Sequence, residues 1–197
     1  SIAELEKSDI RFPIILKGEY SSGSSDIHKF NDKKSLLEFF STNSYLDSFD
    51  NILIQKFLNI RMDLRVTIVN EEVVLFYWRK NPSKEWKPTA SSYGSRIDFA
   101  GYPKKWKSFI INEFKKLNLP MGAFDLAWDN DDLSKKPYIL EFSPRFSPNP
   151  PISLNSKITY GQWKNKLFIK DPYWRVQADF ISKLNDKYIN YIRANLE

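Results

Sequence analysis

Apolar positions along the chain fall into short blocks separated by polar, turn-rich stretches, and the spacing within each block limits what it can form. Phe12–Lys17, FPIILK, is an apolar run entered through Pro13 and closed by a lysine, which predicts a short buried strand. Gly18–Asp26, GEYSSGSSD, is rich in glycine and serine, and Ile27–Phe30 follows as a return strand, so the three pieces predict a hairpin with a flexible tip. A helix opens at Asn31–Lys34, capped by Asn31 or Asp32, with Leu36, Leu37, Phe39 and Phe40 on its apolar side. After the polar Ser41–Asp50, the run NILIQKFL (Asn51–Leu58) predicts a compact buried strand. Arg61, Asp63 and Arg65 then alternate, and alternation on a strand places all three on one face. Val66–Val69, the tight turn Asn70-Glu71 and Val73–Trp78 complete a hairpin that ends in Arg79.

The second half continues in the same manner. Lys80–Phe99 is a polar, Ser/Pro-rich excursion containing Trp86, Lys87 and Gly94, long for a structureless connection and therefore a candidate lid. Pro103–Leu117 predicts a helix with Trp106, Phe109, Ile110, Phe114 and Leu117 along one side. In Phe124–Pro151 two apolar runs flank a polar loop, Asn130 to Lys136; the first carries Asp125 and the second, Tyr138–Phe142, delivers Glu141 and then Arg145. Such a pair of runs reads as a hairpin whose acidic side chains reach the same side of a sheet. Two converging carboxylates repel each other unless a cation lies between them, and oxygen-only ligands suit magnesium; the plainer alternative is a solvated acidic loop. Past Pro151 the pattern is irregular as far as Asp171, and Pro172–Leu196 predicts a closing helix with Val176, Phe180, Ile181, Leu184, Tyr188, Ile189 and Ile192 inward.

Composition narrows the class. With 197 residues, 42% of them apolar and 16% aromatic, the chain can build one domain or two small lobes and does not belong among disordered sequences. No apolar run approaches a membrane span and no segment has the order of a signal peptide, so a cytoplasmic location is the expectation, with no membrane partner. The absence of cysteine excludes disulfides and thiolate metal sites, and a single histidine argues against zinc. A formal charge of +6 is compatible with nucleic acid, an anionic membrane or a phosphorylated ligand, but the lysines are scattered among acids, which more often serves solubility. Ser1–Arg11 is a short acidic, amphipathic stretch without an initiator methionine, and a fragment that begins upstream is expected.

Some residues have plain readings. His28 on the return strand is expected to pack or to lie at the surface, and Trp106, Phe109 and Phe114 to belong to a helix core. Packing is also the expectation for Trp78 and Trp86. The Gly/Ser tip has bare amides and hydroxyls that can donate to phosphate oxygens, although most loops of this composition are simply mobile.

Taken in order, FPIILK, GEYSSGSSDI, ILIQKFL…DLRVTIVNEEVVLFYWR and GAFDLAW…YILEFSPR resemble the ATP-grasp superfamily, specifically its RimK-like carboxylate–amine ligases, from Phe12 to about Pro151. The resemblance implies an α+β ATP-grasp fold in which two subdomains with antiparallel sheets enclose a nucleotide cleft, here without the family's N-terminal domain. The implied divisions are a small lid subdomain at 1–56, a large subdomain with the metal site at 57–151 and a C-terminal extension at 152–197. The cofactors implied are ATP and magnesium, and the reaction is phosphorylation of a carboxylate to an acylphosphate that an amine then attacks, releasing ADP and phosphate. The nucleotide is expected to meet Lys17, Ser21 and Ser24 of the loop, the hinge Gln55, Lys56, Phe57 and Leu58, Asp63 at the ribose, and Lys87. Arg79 and Arg145 are the expected catalytic cations, and Asp125, Glu141 and Ser143 the expected metal ligands.

Departures from the pattern bear on activity. Ser143 stands where the family has asparagine, with Asn149 nearby; Lys56 replaces a hinge glutamate; Thr89 or Ser91 stands nearest to a phosphate-side asparagine. An upstream nucleotide lysine has no counterpart in Ser1–Arg11, which a separate N-terminal domain or companion chain would supply. The partners implied are ATP, a small-molecule or peptide carboxylate and an amine acceptor, with the acceptor pocket sought in Lys80–Phe99 and Ile152–Lys170. A degenerate or regulatory nucleotide-binding module is the alternative, and a basic nucleic-acid-binding domain a third reading supported only by charge and aromatic content.

Overall fold

The computed structural model describes residues 9–19, 26–44, 51–90, 93–98 and 101–144, together with 186–187, 189–191 and 193–194. The chain divides into two compact units, Ser1–Asn59 and Ile60–Glu197.

The first unit is a three-stranded antiparallel sheet in the order β2-β1-β3, formed by β1 (Ile14–Gly18), β2 (Ile27–Phe30) and β3 (Ile52–Lys56). Helix α1 (Lys33–Thr42) starts at Asp32, whose carboxylate accepts the Ser35 amide, as the capping pattern predicts. Leu36 and Phe40 of α1 are buried with Ile14, Leu16 and Phe30, so one sheet face is closed by the helix. Alternation then assigns Ile15 and Lys17 of β1, Ile27 and Lys29 of β2, and Leu53 and Gln55 of β3 to the other face. The burial predicted for Asn51–Leu58 holds only in part. β3 is an edge strand, and Leu53 keeps 48% of its surface exposed.

The second unit is a five-stranded antiparallel sheet in the order β6-β5-β4-β7-β8, built from β4 (Met62–Val69), β5 (Glu72–Lys80), β6 (Arg96–Asp98), β7 (Met121–Ala127) and β8 (Tyr138–Ser143). Asn70 and Glu71 both take positive φ, 48° and 59°, which matches the right-handed twist of a two-residue hairpin turn between β4 and β5. Helix α2 (Lys107–Lys115) follows a short 3-10 turn at Lys104–Trp106 and presents Ile110 and Phe114 to Leu64, Val66, Ile68, Phe124, Leu126 and Trp128. Each such side chain stabilises the fold by about 1.5–3 kcal/mol when fully buried, so this face is the unit's main adhesive surface.

Three expectations need correction here. Lys80–Phe99 is not structureless: it contains β6, which pairs with the end of β5 through Trp78, Arg79 and Lys80. Leu117 lies two residues past the end of α2 and is 39% exposed, because the helix stops before the apolar pattern does. Ile189, expected inward on the closing helix, is 47% exposed. The rest of that helix's inward set falls outside the described residues, except for helical backbone at the positions given above.

His28 packs against Phe39 with ring centroids 4.8 Å apart and lies 3.1 Å from an Asp26 oxygen, while Trp78 and Phe114 are core residues, as expected. Asp131 fixes the start of β4 by accepting the Arg61 and Met62 amides.

Gly122 of β7 faces Phe142 and Phe114 so closely that an added Cβ would lie 2.5 Å from a Phe142 ring carbon and 3.2 Å from one of Phe114. The Phe142 ring is itself wedged beside Phe114 and Phe124 and has little freedom to withdraw. Gly122→Ala should therefore destabilise the second unit by about 1–3 kcal/mol, read as a lowered thermal midpoint.

Candidate functional site

The face of the five-stranded sheet turned away from α2 is where polar chemistry gathers. Strand alternation sends Leu64, Val66 and Ile68 of β4 to the helix side and Asp63, Arg65 and Thr67 to the other. Register then lines up side chains from four strands: Tyr77, Arg65, Asp125 and Glu141 are successive cross-strand partners, and Arg79 lies opposite Asp63 in the next row. The expectation that Asp63 and Arg65 share a face holds; Arg61 precedes the strand and contributes its backbone instead.

These groups form one continuous network. Arg65 donates from Nε to Asp125 Oδ1 at 2.7 Å and from Nη2 to Asp125 Oδ2 at 3.1 Å, a two-point clamp of the kind a planar guanidinium suits. The same Nη2 donates to Ser143 Oγ at 3.2 Å, and Ser143 donates on to Glu141 Oε1 at 3.1 Å. Arg79 holds Asp63 through both Nε and Nη2, and Nη2 also lies 2.8 Å from Asp125 Oδ2. Asp63 and Asp125 are 2% and 4% exposed, whereas Glu141 is open to solvent.

Burial dominates the electrostatics. It pushes the Asp63 carboxyl up, and Arg79 with a Thr89 hydrogen bond pulls back only part of the way. Burial by itself would lower Arg79, but Asp63 and Asp125 together hold it well above its ordinary value, so the guanidinium stays charged. Arg65 behaves likewise: burial lowers it, and Asp125 more than restores it. Tyr77, pushed up by burial, remains a neutral phenol beside both arginines.

The converging carboxylates were expected to need a cation between them, and the cations present are Arg65 and Arg79. Magnesium is implied by the resemblance, and its fit can be tested on the donor set. Among the described residues, no group of three or more carboxylate or histidine side chains converges into a metal cage. The pair Asp125 and Glu141, at partner positions on adjacent strands with the Ser143 hydroxyl beside them, offers hard oxygen donors only. Magnesium is commonly held by one or two carboxylates, waters and substrate phosphates rather than by an all-protein cage. Among the described residues the network holds three carboxylates and two guanidiniums. The donors therefore fit magnesium that arrives with a nucleotide, and they do not form a free-standing metal site.

In the first unit Lys17 is half-buried on the face away from α1, level with Ile27 and Leu53. Gln55 shares that face, Lys56 alternates to the other, and Leu58 is buried. Phe57 donates its amide to the Pro13 carbonyl, closing the end of the strand pair. Lys87 is exposed and its backbone oxygen accepts from Asn81 Nδ2 at 3.3 Å. Ser21, Ser24 and Arg145 lie outside the described residues, as do Ser91 and Asn149. The structure thus joins Asp63, Arg79 and Asp125 directly and links Ser143 and Glu141 to them through Arg65.

Two further residues were given no site role by the sequence reading. Arg65 clamps Asp125, and the alternation Asp63-x-Arg65 carried that signal. Lys29 shares a face with Lys17, which follows from hairpin register once the loop length is known.

Replacing Arg79 with methionine should cost about 3–5 kcal/mol, because it leaves buried carboxylates uncompensated. Glu141→Gln, at an exposed position, should stay within about 0.5 kcal/mol of the parent. Denaturant midpoints of the two variants compare these directly.

No protein-family model matches the chain, and no curated protein matches it either. Solved structures do. D-alanine–D-alanine ligase from Bacillus anthracis superposes with a TM-score of 0.54 at 13% identity, covering 96% of this chain and 60% of that one. The same ligase complexed with ATP gives 0.53 at 15% identity, covering 96% of this chain and 58% of that one. L-amino acid ligase from Bacillus licheniformis gives 0.50 at 17% identity over 74% of this chain and 34% of that one. The fold is α+β with antiparallel sheets, that of the ATP-grasp proteins, and the chain spans about 60% or less of the length of these structures.

Proposed function

We propose that the chain is the nucleotide-binding portion of an ATP-dependent ligase that joins a carboxylate to an amine. The observation that carries this reading is the cross-strand pair Asp125 and Glu141 with Arg65 and Arg79 set against it on one sheet face. The likeness to ligase folds supports it at the level of architecture.

In the proposed reaction a substrate carboxylate oxygen attacks the γ-phosphorus of ATP, the bond to ADP breaks, and an acylphosphate forms. The amine nitrogen then attacks the acyl carbon, phosphate leaves, and a proton departs from the nitrogen. Both steps gather negative charge on phosphoryl oxygens, so fixed cations are the main catalytic need. Arg79 meets it: anchored by Asp63 and Asp125, its guanidinium is already oriented and loses little freedom when phosphate arrives. Arg145 is assigned the same task and Lys17 that of holding the polyphosphate. The hinge Gln55 to Leu58 would take the adenine, Asp63 the ribose, and Ser21, Ser24 and Lys87 further polar contacts to the nucleotide. Asp125, Glu141 and Ser143 would hold magnesium, which neutralises phosphate charge during transfer. The RimK-like subtype, a cytoplasmic setting and the division at 1–56, 57–151 and 152–197 belong to the same proposal. Among the described residues no helix is long and apolar enough to cross a membrane.

One observation favours a second reading, a nucleotide-binding module without turnover. Ser143 is shorter than asparagine and is already engaged by Arg65 and Glu141.

Calorimetric titration of ATP with magnesium should give saturable binding, and titration of magnesium alone should give none. Glu141→Gln should remove the magnesium dependence while circular dichroism stays unchanged. Heat of binding identical in the variant would rule out the metal assignment. Given an acid and an amine, stoichiometric ADP release supports the ligase, and its absence at every substrate tried supports the module without turnover.

A further inference from the structure

The face of the first unit turned away from α1 carries two lysines and no carboxylate among its strand residues. In register, Lys17 sits opposite Ile27 and Leu53, while Lys29 sits opposite Ile15, which in turn pairs with Gln55. Lys17 and Lys29 are thus diagonal neighbours on adjacent strands, within mutual reach for side chains of this length.

The course of the Lys29 side chain adds an independent observation. Its Nζ lies 4.1 Å from the centroid of the Phe57 ring. Phe57 follows β3, and β1 separates β3 from β2, so the stem of Lys29 crosses the middle strand and lies along the sheet. Two strand spacings are about 10 Å, close to the full reach of a lysine toward a phenyl ring. Ile15, the residue crossed, is 8% exposed. A stem lying over apolar surface with its ammonium on a ring face is the expected behaviour of a long cationic side chain. The ammonium accordingly occupies the ring face of Phe57, a residue of the hinge that the proposed function gives to adenine.

We propose that Lys29 is a second nucleotide-binding lysine, displaced from the Phe57 ring by the incoming base and taken up by the polyphosphate beside Lys17. This rests on the nucleotide-binding reading above. The cation–π contact and bound adenine compete for one ring face, so nucleotide entry and phosphate engagement by Lys29 are coupled. Arginine at this position keeps the charge and the reach. Methionine keeps the stem and removes the charge.

The test is calorimetric titration of ATP and of adenosine into the full chain, with magnesium, for the parent, Lys29→Met and Lys29→Arg, beside thermal midpoints of all three. Loss of one charge-assisted contact to phosphate should weaken ATP roughly tenfold or more in Lys29→Met. Adenosine, which has no phosphate, should bind the methionine variant at least as well as the parent. Lys29→Arg should recover most of the ATP affinity. Unchanged ATP affinity in a folded Lys29→Met would overturn the proposal, and so would equal losses for ATP and adenosine, which would make Lys29 a prop for Phe57. If the parent itself binds no ATP, the nucleotide reading fails and Lys29's role falls with it, an outcome distinct from the other two. Should Lys29→Met fail to fold, Lys29→Arg still decides: a loss of ATP affinity as large as that expected of methionine would contradict a phosphate contact that needs only charge and reach.

Discussion

Two carboxylates, Asp63 and Asp125, are buried on one face of a sheet, and everything around them is arranged to make that tolerable. A buried carboxylate without a partner costs several kcal/mol, more than a typical single core contact contributes. Arg79 bonds both, and Arg65 clamps the second through two nitrogens. The clamp is possible only because β5, β4 and β7 lie side by side in a register that sets Arg79 opposite Asp63 and Arg65 opposite Asp125. That register is in turn enforced from the opposite face. A slip of one residue would turn Leu64, Val66 and Ile68 away from α2 and expose the main apolar surface of the unit. Hydrophobic packing on one side therefore holds the charged network on the other.

The network ends asymmetrically. At the Asp63 end it is closed, with Thr89 completing the carboxylate. At the β8 end it runs through Ser143 to Glu141, an exposed acceptor on the outermost strand. Cations are thus fixed deep in the sheet face while an exposed carboxylate stands at its edge. The proposed function assigns to this arrangement a ligand carrying both negative oxygens and a hard metal ion. The first unit is arranged differently. Its helix closes one sheet face, and the remaining face concentrates lysine and glutamine beside an aromatic residue.

Much of the fold could be read from the chain because its signals are local. The Asp32 cap, the Asn70-Glu71 turn and the two-residue alternation of Asp63 and Arg65 depend on backbone geometry within a few residues. Burial was less legible. NILIQKFL looks like a core strand, but an edge strand with one covered face leaves Leu53 outside. Leu117 continues an apolar pattern past the point where the helix ends, since hydrogen bonding and not pattern sets the boundary. β6 is only three residues long, too short to show periodicity, and its existence depends on a neighbour, β5, that offers an edge to pair with.

The same division holds at the candidate site. The sequence by itself determined which residue types are available: aspartates at 63 and 125, a glutamate at 141, arginines at 65 and 79, and lysines at 17 and 29. It also determined, through alternation, which of them share a face within one strand. Only the tertiary structure decided which residues meet across strands. Asp125 was expected to look toward a metal, and register brought it two guanidiniums; Lys29 drew no notice, and register placed it beside Lys17. Pairing between strands far apart in sequence is fixed by the sum of packing on the hidden face, and no short stretch of residues contains that sum.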